Sequence, residues 1–274
     1  MTLDRDLVAL LGFGMMFALM ALRVPIGVSM GVAGVGGFYL LTSITPALNL
    51  LANVPLSVVT DYNLSVIPMF VLMGAFASHS GMSRELFAAG RAWLGHRRGG
   101  LALATIAACG GFAAINGSSV ATAATMTQVA LPEMRRAGYA PGFSTGLIAA
   151  GGTLGIMIPP SVILVLYGIM TETDITKLFA AGVIPGLMAV AFYALVVALQ
   201  ARLSPASMPR GERVGWSERL QSLRALWAVL LLFMFVLGGI YGGLFTVQEA
   251  AGIGAVGTLL IGMARGRLRW PEIR

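Results

Sequence analysis

The sequence has little charge. Its 274 residues include 18 Lys and Arg and 11 Asp and Glu, 11% in all, where a soluble domain carries about a quarter. That deficit excludes an ordinary water-facing fold. Cysteine is nearly absent as well. Cys109 stands alone in an apolar run, so no intrachain disulfide exists and a small buried thiol is the default. The two histidines, His79 and His96, are far apart and have no Cys or carboxylate partner nearby in sequence, which removes a metal centre and a catalytic dyad. Lysine occurs once, at Lys177, and the arginines gather at the ends of apolar runs. The net charge of +7 therefore reflects membrane topology and not nucleic-acid binding.

What is present is long apolar sequence. Hydrophobic residues make up 57% of the chain and the mean hydropathy is +0.86. Runs free of Asp, Glu, Lys and Arg cover 7–22, 24–60, 62–83, 99–132, 137–171, 178–201, 225–248 and 250–264. A spanning helix needs about 20 such residues. The first run lacks a basic flank and a small-residue cleavage site, so it reads as a retained helix and not a leader. The pattern predicts an all-α polytopic membrane protein.

Arginine placement selects one topology. With the N-terminus outside, helices over about 7–23, 25–43 and 64–81 reach the cytoplasm at Arg84. The run 99–131 is interrupted by Asn116-Gly117-Ser118-Ser119, whose backbone lipid cannot satisfy, so it predicts a re-entrant hairpin and not one span. Then 141–170 crosses outward, 179–201 returns, 225–243 exits and 249–264 returns. This places sixteen of the eighteen basic residues in the cytoplasm, leaving Arg5 and Lys177 outside. A single span at 99–131 would move eleven of the sixteen out. Residues 84–95 read as an amphipathic helix in the interface, capped by Ser83, with Leu86, Phe87, Gly90, Trp93 and Leu94 on its apolar face. Residues 205–224 read as a cytoplasmic linker. Residues 30–36 resemble 251–257 at an offset of 221, which suggests a repeat: a first copy over 1–204 and an incomplete, oppositely oriented second over 225–274.

Two segments break the helical pattern deep in the membrane. At the hairpin tip, Asn116, Ser118, Ser119 and Thr122 supply neutral oxygens, and Gly117 permits a tight turn. The second half-helix starts there, with its positive end and free amides suited to an anion. In the run 151–161, Gly151, Gly152 and Gly155 weaken the helix beside Thr153, while Pro159 and Pro160 remove two backbone donors and free carbonyls for a cation. Plain helix packing and a kink account for either break taken alone. No charge falls in the middle of any span, so an intramembrane protease or a carboxylate proton pump is disfavoured. Glu172 and Asp174 read as solvated loop charges.

At these residues the sequence resembles a known family. The segments 116–123, 132–134, 138–139 and 149–161, followed by 171–173 and 181–186, closely resemble the large membrane subunit of TRAP (tripartite ATP-independent periplasmic) transporters. The resemblance implies an inverted-repeat, elevator-type fold and no enzymatic activity. It implies a permease of the bacterial inner membrane that uses sodium as coupling ion and has no cofactor. The cargo would be a carboxylate such as a C4-dicarboxylate or sialic acid. The implied partners are a periplasmic binding protein and a small four-helix membrane subunit. Carried onto this chain, Asn116, Gly117, Ser118, Ser119, Thr122, Gly151, Gly152, Thr153, Gly155, Pro159 and Pro160 would form a sodium site and half of a substrate cavity. Family members carry a second hairpin and second broken helix, so the resemblance also implies a truncated or split permease. The rival readings are a non-transporting membrane scaffold and an anion channel.

Overall fold

The computed structural model describes residues 4–211 and 213–268, without the side chain of Ala206. Arg269 and Arg274, assigned above to the cytoplasm, lie outside the described residues. All regular structure among the described residues is helical apart from one isolated bridge between Arg98 and Arg210. The chain forms two compact units, divided between Tyr62 and Asn63.

The first unit holds α1 (Arg5–Ala21), α2 (Ile26–Leu41) and α3 (Ile44–Thr60). Helix α1 ends on a left-handed residue, Arg23 (φ 63°). The amide of Arg23 donates to Met20 O and that of Val24 to Leu19 O, which closes the last carbonyls before Pro25 leads into α2. Gly37 faces Val8, so the two helices approach closely. Helix α3 corrects the sequence reading, which left 44–63 as a connection. It tolerates Pro55 in its interior, and its Thr45, Asn49, Asn53, Ser57 and Thr60 recur on one side.

The second unit begins with α4 (Val66–His79) and α5 (Met82–Leu94), then α6 (Gly100–Asn116) and α7 (Ser119–Arg136). Helices α6 and α7 form a hairpin, because Thr105 Oγ1 lies 3.6 Å from Met134 Sδ. An unbroken helix would hold residues 29 positions apart about 44 Å from one another. Helix α7 runs five residues beyond the expected end at 131, which carries Glu133 within 3.3 Å of Arg91 and 3.0 Å of Arg136. Both ends of the hairpin thus lie on one side of the unit.

Helix α5 also departs from expectation. Its N-cap is the left-handed Gly81 and not Ser83, which is buried in the first turn. Its apolar face lies against α6: a Cβ on Gly90 would sit 3.0 Å from Ala104 O, and Phe87 is buried. That face is covered by protein and is not free to enter a lipid interface.

The chain continues as α8 (Pro141–Gly152), α9 (Leu154–Met157), α10 (Val162–Met170) and the long α11 (Ile175–Leu203). The axis bends by 42° between Met157 and Val162. Asp174, read above as a solvated loop charge, caps α11 by accepting from the amides of Thr176 and Lys177 at 2.8 and 3.3 Å. Next come α12 (Trp216–Ala225), α13 (Trp227–Tyr241) and α14 (Val247–Ala264), which opens on a capping box between Thr246 and Glu249. The α13–α14 turn closes as the α1–α2 turn does, with Gly243 (φ 69°) donating to Ile240 O and Leu244 to Gly239 O. At the offset of 221 Ile26 maps onto Val247, the first residue of α14.

Helix α14 packs on α4, where Gly254 admits Met73. Its C-terminal end is tied down by Glu85 of α5, which accepts from Arg265 and Arg267 at 2.8 Å each. Arg265 also lies 5.0 Å over the Trp227 ring. Leu187, Phe192, Met234 and Leu260 remain exposed, as apolar side chains facing hydrocarbon do. Association there draws on close packing and satisfied polar groups, because lipid gives apolar side chains no reason to leave it.

Candidate functional site

The hairpin tip and the broken helix meet, and they meet through two helix starts built alike. Gly117 takes the left-handed conformation (φ 63°), turning the chain at the end of α6. Ser118 follows in extended conformation (φ −130°, ψ 125°), and its Oγ accepts from Ala121 N at 3.4 Å. Across from it Ser161 (φ −128°, ψ 126°) accepts from Leu164 N at 3.4 Å to open α10. The amide of Val162 donates to Gly117 O at 3.2 Å, which joins the two breaks directly. The positive ends of α7 and α10 are therefore neighbours, two partial charges directed at one region.

Glycine makes this contact possible. A Cβ on Gly117 would stand 2.7 Å from Pro160 O, one on Gly155 2.5 Å from Ser118 O, and one on Gly152 2.7 Å from Ala123 Cβ. The backbones of α7 and α8–α9 touch where these residues lack side chains. Gly151 is different: its α-carbon faces Cys109 of α6, away from the tip. The sequence reading gave Gly151, Gly152 and Gly155 the work of weakening a helix; their position gives them that of admitting a neighbour, while Gly117 makes the tight turn expected of it.

The tip also holds buried polar atoms without protein partners. Asn116 is buried at the end of α6, packed over Gly74 of α4, and its Nδ2 has no hydrogen-bond partner. Thr122 is fully buried, and its Oγ1 has none. A buried polar group left unpaired costs about 1–3 kcal/mol, so such groups persist where a ligand, ion or water completes them. An amide and a hydroxyl one turn into α7 suit a hard cation through oxygen, or an anion through N–H and O–H.

Two expected contributions are placed elsewhere. Thr153 is exposed and turned toward α11, with its Oγ1 donating to Ala150 O at 2.7 Å and lying 2.9 Å from Tyr193 OH. Pro159 and Pro160, both buried, deprive Gly155 O and Ile156 O of helical donors, yet Ile156 O is taken by Ser161 Oγ at 2.8 Å. One acceptor position of Ile156 O is thereby filled, which leaves Gly155 O the freer of the two. Ser119 is half-buried at the first turn of α7.

Sequence reasoning missed Ser161 and Tyr193 as site residues. The first was legible as a Ser preceding an apolar run, the usual N-cap signal. The second lies 40 residues from Thr153 with no local pattern to betray it. Ser78 of α4 adds a support, its Oγ 3.1 Å from Thr125 Oγ1 of α7.

Comparison with known proteins places this geometry. The family model "Tripartite ATP-independent periplasmic transporter, DctM component" matches residues 13–274. The C4-dicarboxylate TRAP transporter large permease protein DctM of Pseudomonas aeruginosa is 46% identical over 71% of this chain and 45% of its own length. The protein of the same name from Vibrio cholerae is 37% identical over 93% of this chain and 55% of its own. The sialic acid TRAP transporter large permease protein SiaM of Vibrio cholerae is 32% identical over 91% and 56%. The chain spans about half the length of the curated relatives it matches. A match covering the hairpin, the broken helix and the helices around them makes this a multi-pass membrane protein, and the chain belongs to the DctM component family of tripartite ATP-independent periplasmic transporters.

Proposed function

We propose that this chain supplies one half of the translocation site of a sodium-coupled importer of organic carboxylates. The observation that carries the reading is the junction of two Ser-capped helix starts at Val162 N and Gly117 O, with the unpartnered Asn116 Nδ2 and Thr122 Oγ1 beside it. Helix N-termini and donors stabilise a carboxylate without a fixed positive charge. Hydroxyl and freed carbonyl oxygens, with Gly155 O foremost, accept sodium in the same place. Names of relatives that specify C4-dicarboxylate, sialic acid and ectoine support a small polar solute without choosing one.

In this reading sodium occupies the oxygens of Asn116, Ser118, Ser119 and Thr122 together with the carbonyl of Gly155, freed by the break between α9 and α10. Bound sodium then supplies the positive charge that favours the solute carboxylate. The hairpin and broken helix move as one body, because the glycine contacts at Gly117, Gly152 and Gly155 leave them no room to slide past each other. A second hairpin and broken helix, a small membrane subunit and a periplasmic binding protein complete the machine. The arginine-rich face is cytoplasmic and the membrane is the bacterial inner membrane, with the N-terminus periplasmic. Helix α3, with its polar side, lies along the membrane surface instead of crossing it, which preserves that orientation.

The test is uptake into proteoliposomes by the permease with its binding protein and small subunit. Uptake is expected to require an inward sodium gradient and to fall at least ten-fold in Ser119→Ala and Thr122→Ala, the loss of about 1.4 kcal/mol. Flux that persists without sodium and without the binding protein would favour a channel instead.

A further inference from the structure

A polar concavity lies at the end of the hairpin away from its tip. A cleft of about 850 Å³ opens between α5, the C-terminal end of α7 and the segment 209–225. Its charged lining is Arg91, Arg136, Arg210, Arg213, Glu133 and Glu218. Glu133 engages Arg91 and Arg136 at 3.3 and 3.0 Å. Arg210 and Arg213 have no carboxylate partner among the described residues, and the described charged lining is four arginines against two glutamates.

The backbone at Arg210 is held in place. Residues 208–211 form a strap: Met208 is buried, Tyr139 OH donates to Pro209 O at 3.4 Å, Gly211 N donates to Gly95 O at 3.1 Å, and Arg210 bridges to Arg98. The strap leads into α12, whose two faces differ. Trp216, Leu220, Leu223 and Trp227 recur at the spacing of one helical face and are all exposed. The opposite face, with Glu218, Gln221 and Ser222, forms a wall of the cleft. Arg219 fixes the helix by its edge, 6.0 Å from the Trp93 ring and 5.3 Å from that of Trp216.

Helix α12, with Glu218, Arg219 and Arg224 among its ten residues, meets the apolar helix α13 at a 43° bend, the two together forming one candidate span. Its exposed apolar face therefore sits at the membrane boundary, where tryptophan is favoured and leucine can enter the acyl region. This is the feature the sequence reading assigned to residues 84–95, displaced to a segment it read as a linker. The cleft wall formed by α12 is then at headgroup depth.

We propose that this cleft binds the phosphate-bearing headgroup of an acidic phospholipid while α12 is embedded beside it. Guanidinium groups match phosphate oxygens through paired N–H donors, and clustered arginines next to a transmembrane helix recognise anionic lipid. At headgroup depth the phosphate presented to the arginines is that of a lipid, whose acyl chains lie at the level of Trp216, Leu220 and Leu223.

The experiment is lipid retention by the purified permease, read by native mass spectrometry after exchange into mixed phosphatidylglycerol and phosphatidylcholine. Phosphatidylglycerol is expected to be retained preferentially, and the preference to fall about five-fold for each arginine removed in Arg210→Gln and Arg213→Gln. Arg202→Gln, at the end of α11 and outside the cleft, keeps it. The preference also weakens as salt is raised from 0.1 to 0.5 M. Should the double variant not be recoverable, Arg213→Gln alone and the salt series carry the test. Equal retention of both lipids, or a preference unchanged by the substitutions, overturns the proposal. So does displacement of phosphatidylglycerol by millimolar inorganic phosphate, which would identify a free-anion site.

Discussion

Glycine does opposite things in two sets of positions in this molecule. In α1 and α2, Gly12, Gly14, Gly27, Gly31 and Gly34 have no atom within 4 Å of where a Cβ would stand. At the hairpin and broken helix, Gly117, Gly152 and Gly155 have neighbours at 2.5–2.7 Å. The first set leaves smooth helix faces open within its own unit, among the described residues. The second set is spent on backbone contact, where one methyl group has nowhere to go. A high glycine count in a membrane sequence is therefore uninformative until each residue is placed, since the same composition gives open surface and clamped junction.

Substitutions that add a methyl group separate the two cases. Gly155→Ala is expected to be the most damaging, because the obstruction is the rigid carbonyl of Ser118 at 2.5 Å; overpacking of this kind costs about 1–3 kcal/mol. A melting temperature equal to that of the parent would show that the hairpin and broken helix do not touch there. Glu85→Gln comes next. It removes the charge that two arginines share at 2.8 Å in a site where Glu85 is 12% exposed, a loss of about 1.5–3 kcal/mol. Limited proteolysis near residue 266 is expected to speed up correspondingly.

Smaller effects sharpen the same contrast. Ser118→Ala and Ser161→Ala each remove an N-cap, for about 1 kcal/mol, and a double-mutant cycle is expected to show coupling between them. Strict additivity would mean that the two helix starts act separately. Gly34→Ala, in open space on α2, is expected to be neutral or to stabilise by up to about 1 kcal/mol. A clear loss of uptake with the fold intact would show that this bare face is occupied by a partner.

The sequence announced the hairpin because Asn116-Gly117-Ser118-Ser119 is a polar interruption that lipid does not permit, and the arginines on either side had to share a compartment. Segmentation by charge had a matching blind spot. Helix α3 contains no charge and two prolines, Pro46 and Pro55, so it passed for a connection. Helix α12 sits among arginines and passed for a linker, although Trp216, Leu220, Leu223 and Trp227 spelled an apolar face. At the site, residue types were legible and directions were not. Thr153 lies about 100° around the helix from Gly152, and that rotation takes its hydroxyl from the tip to Tyr193. Which glycines would be clamped depended on α6 and α7 approaching from elsewhere, which no local pattern encodes.

Sodium is proposed to complete the hairpin tip, where Thr122 Oγ1 is buried without a protein partner. The direct measurement is the sodium-dependent rise in melting temperature of the solubilised permease, compared with Asn116→Ala/Thr122→Ala. Ligand at a hundred times its dissociation constant stabilises by about 2.7 kcal/mol. The melting temperature is expected to rise with sodium but not with potassium, and the double variant to lose that rise. A rise of the same size in parent and variant, or an equal rise with potassium, would contradict it.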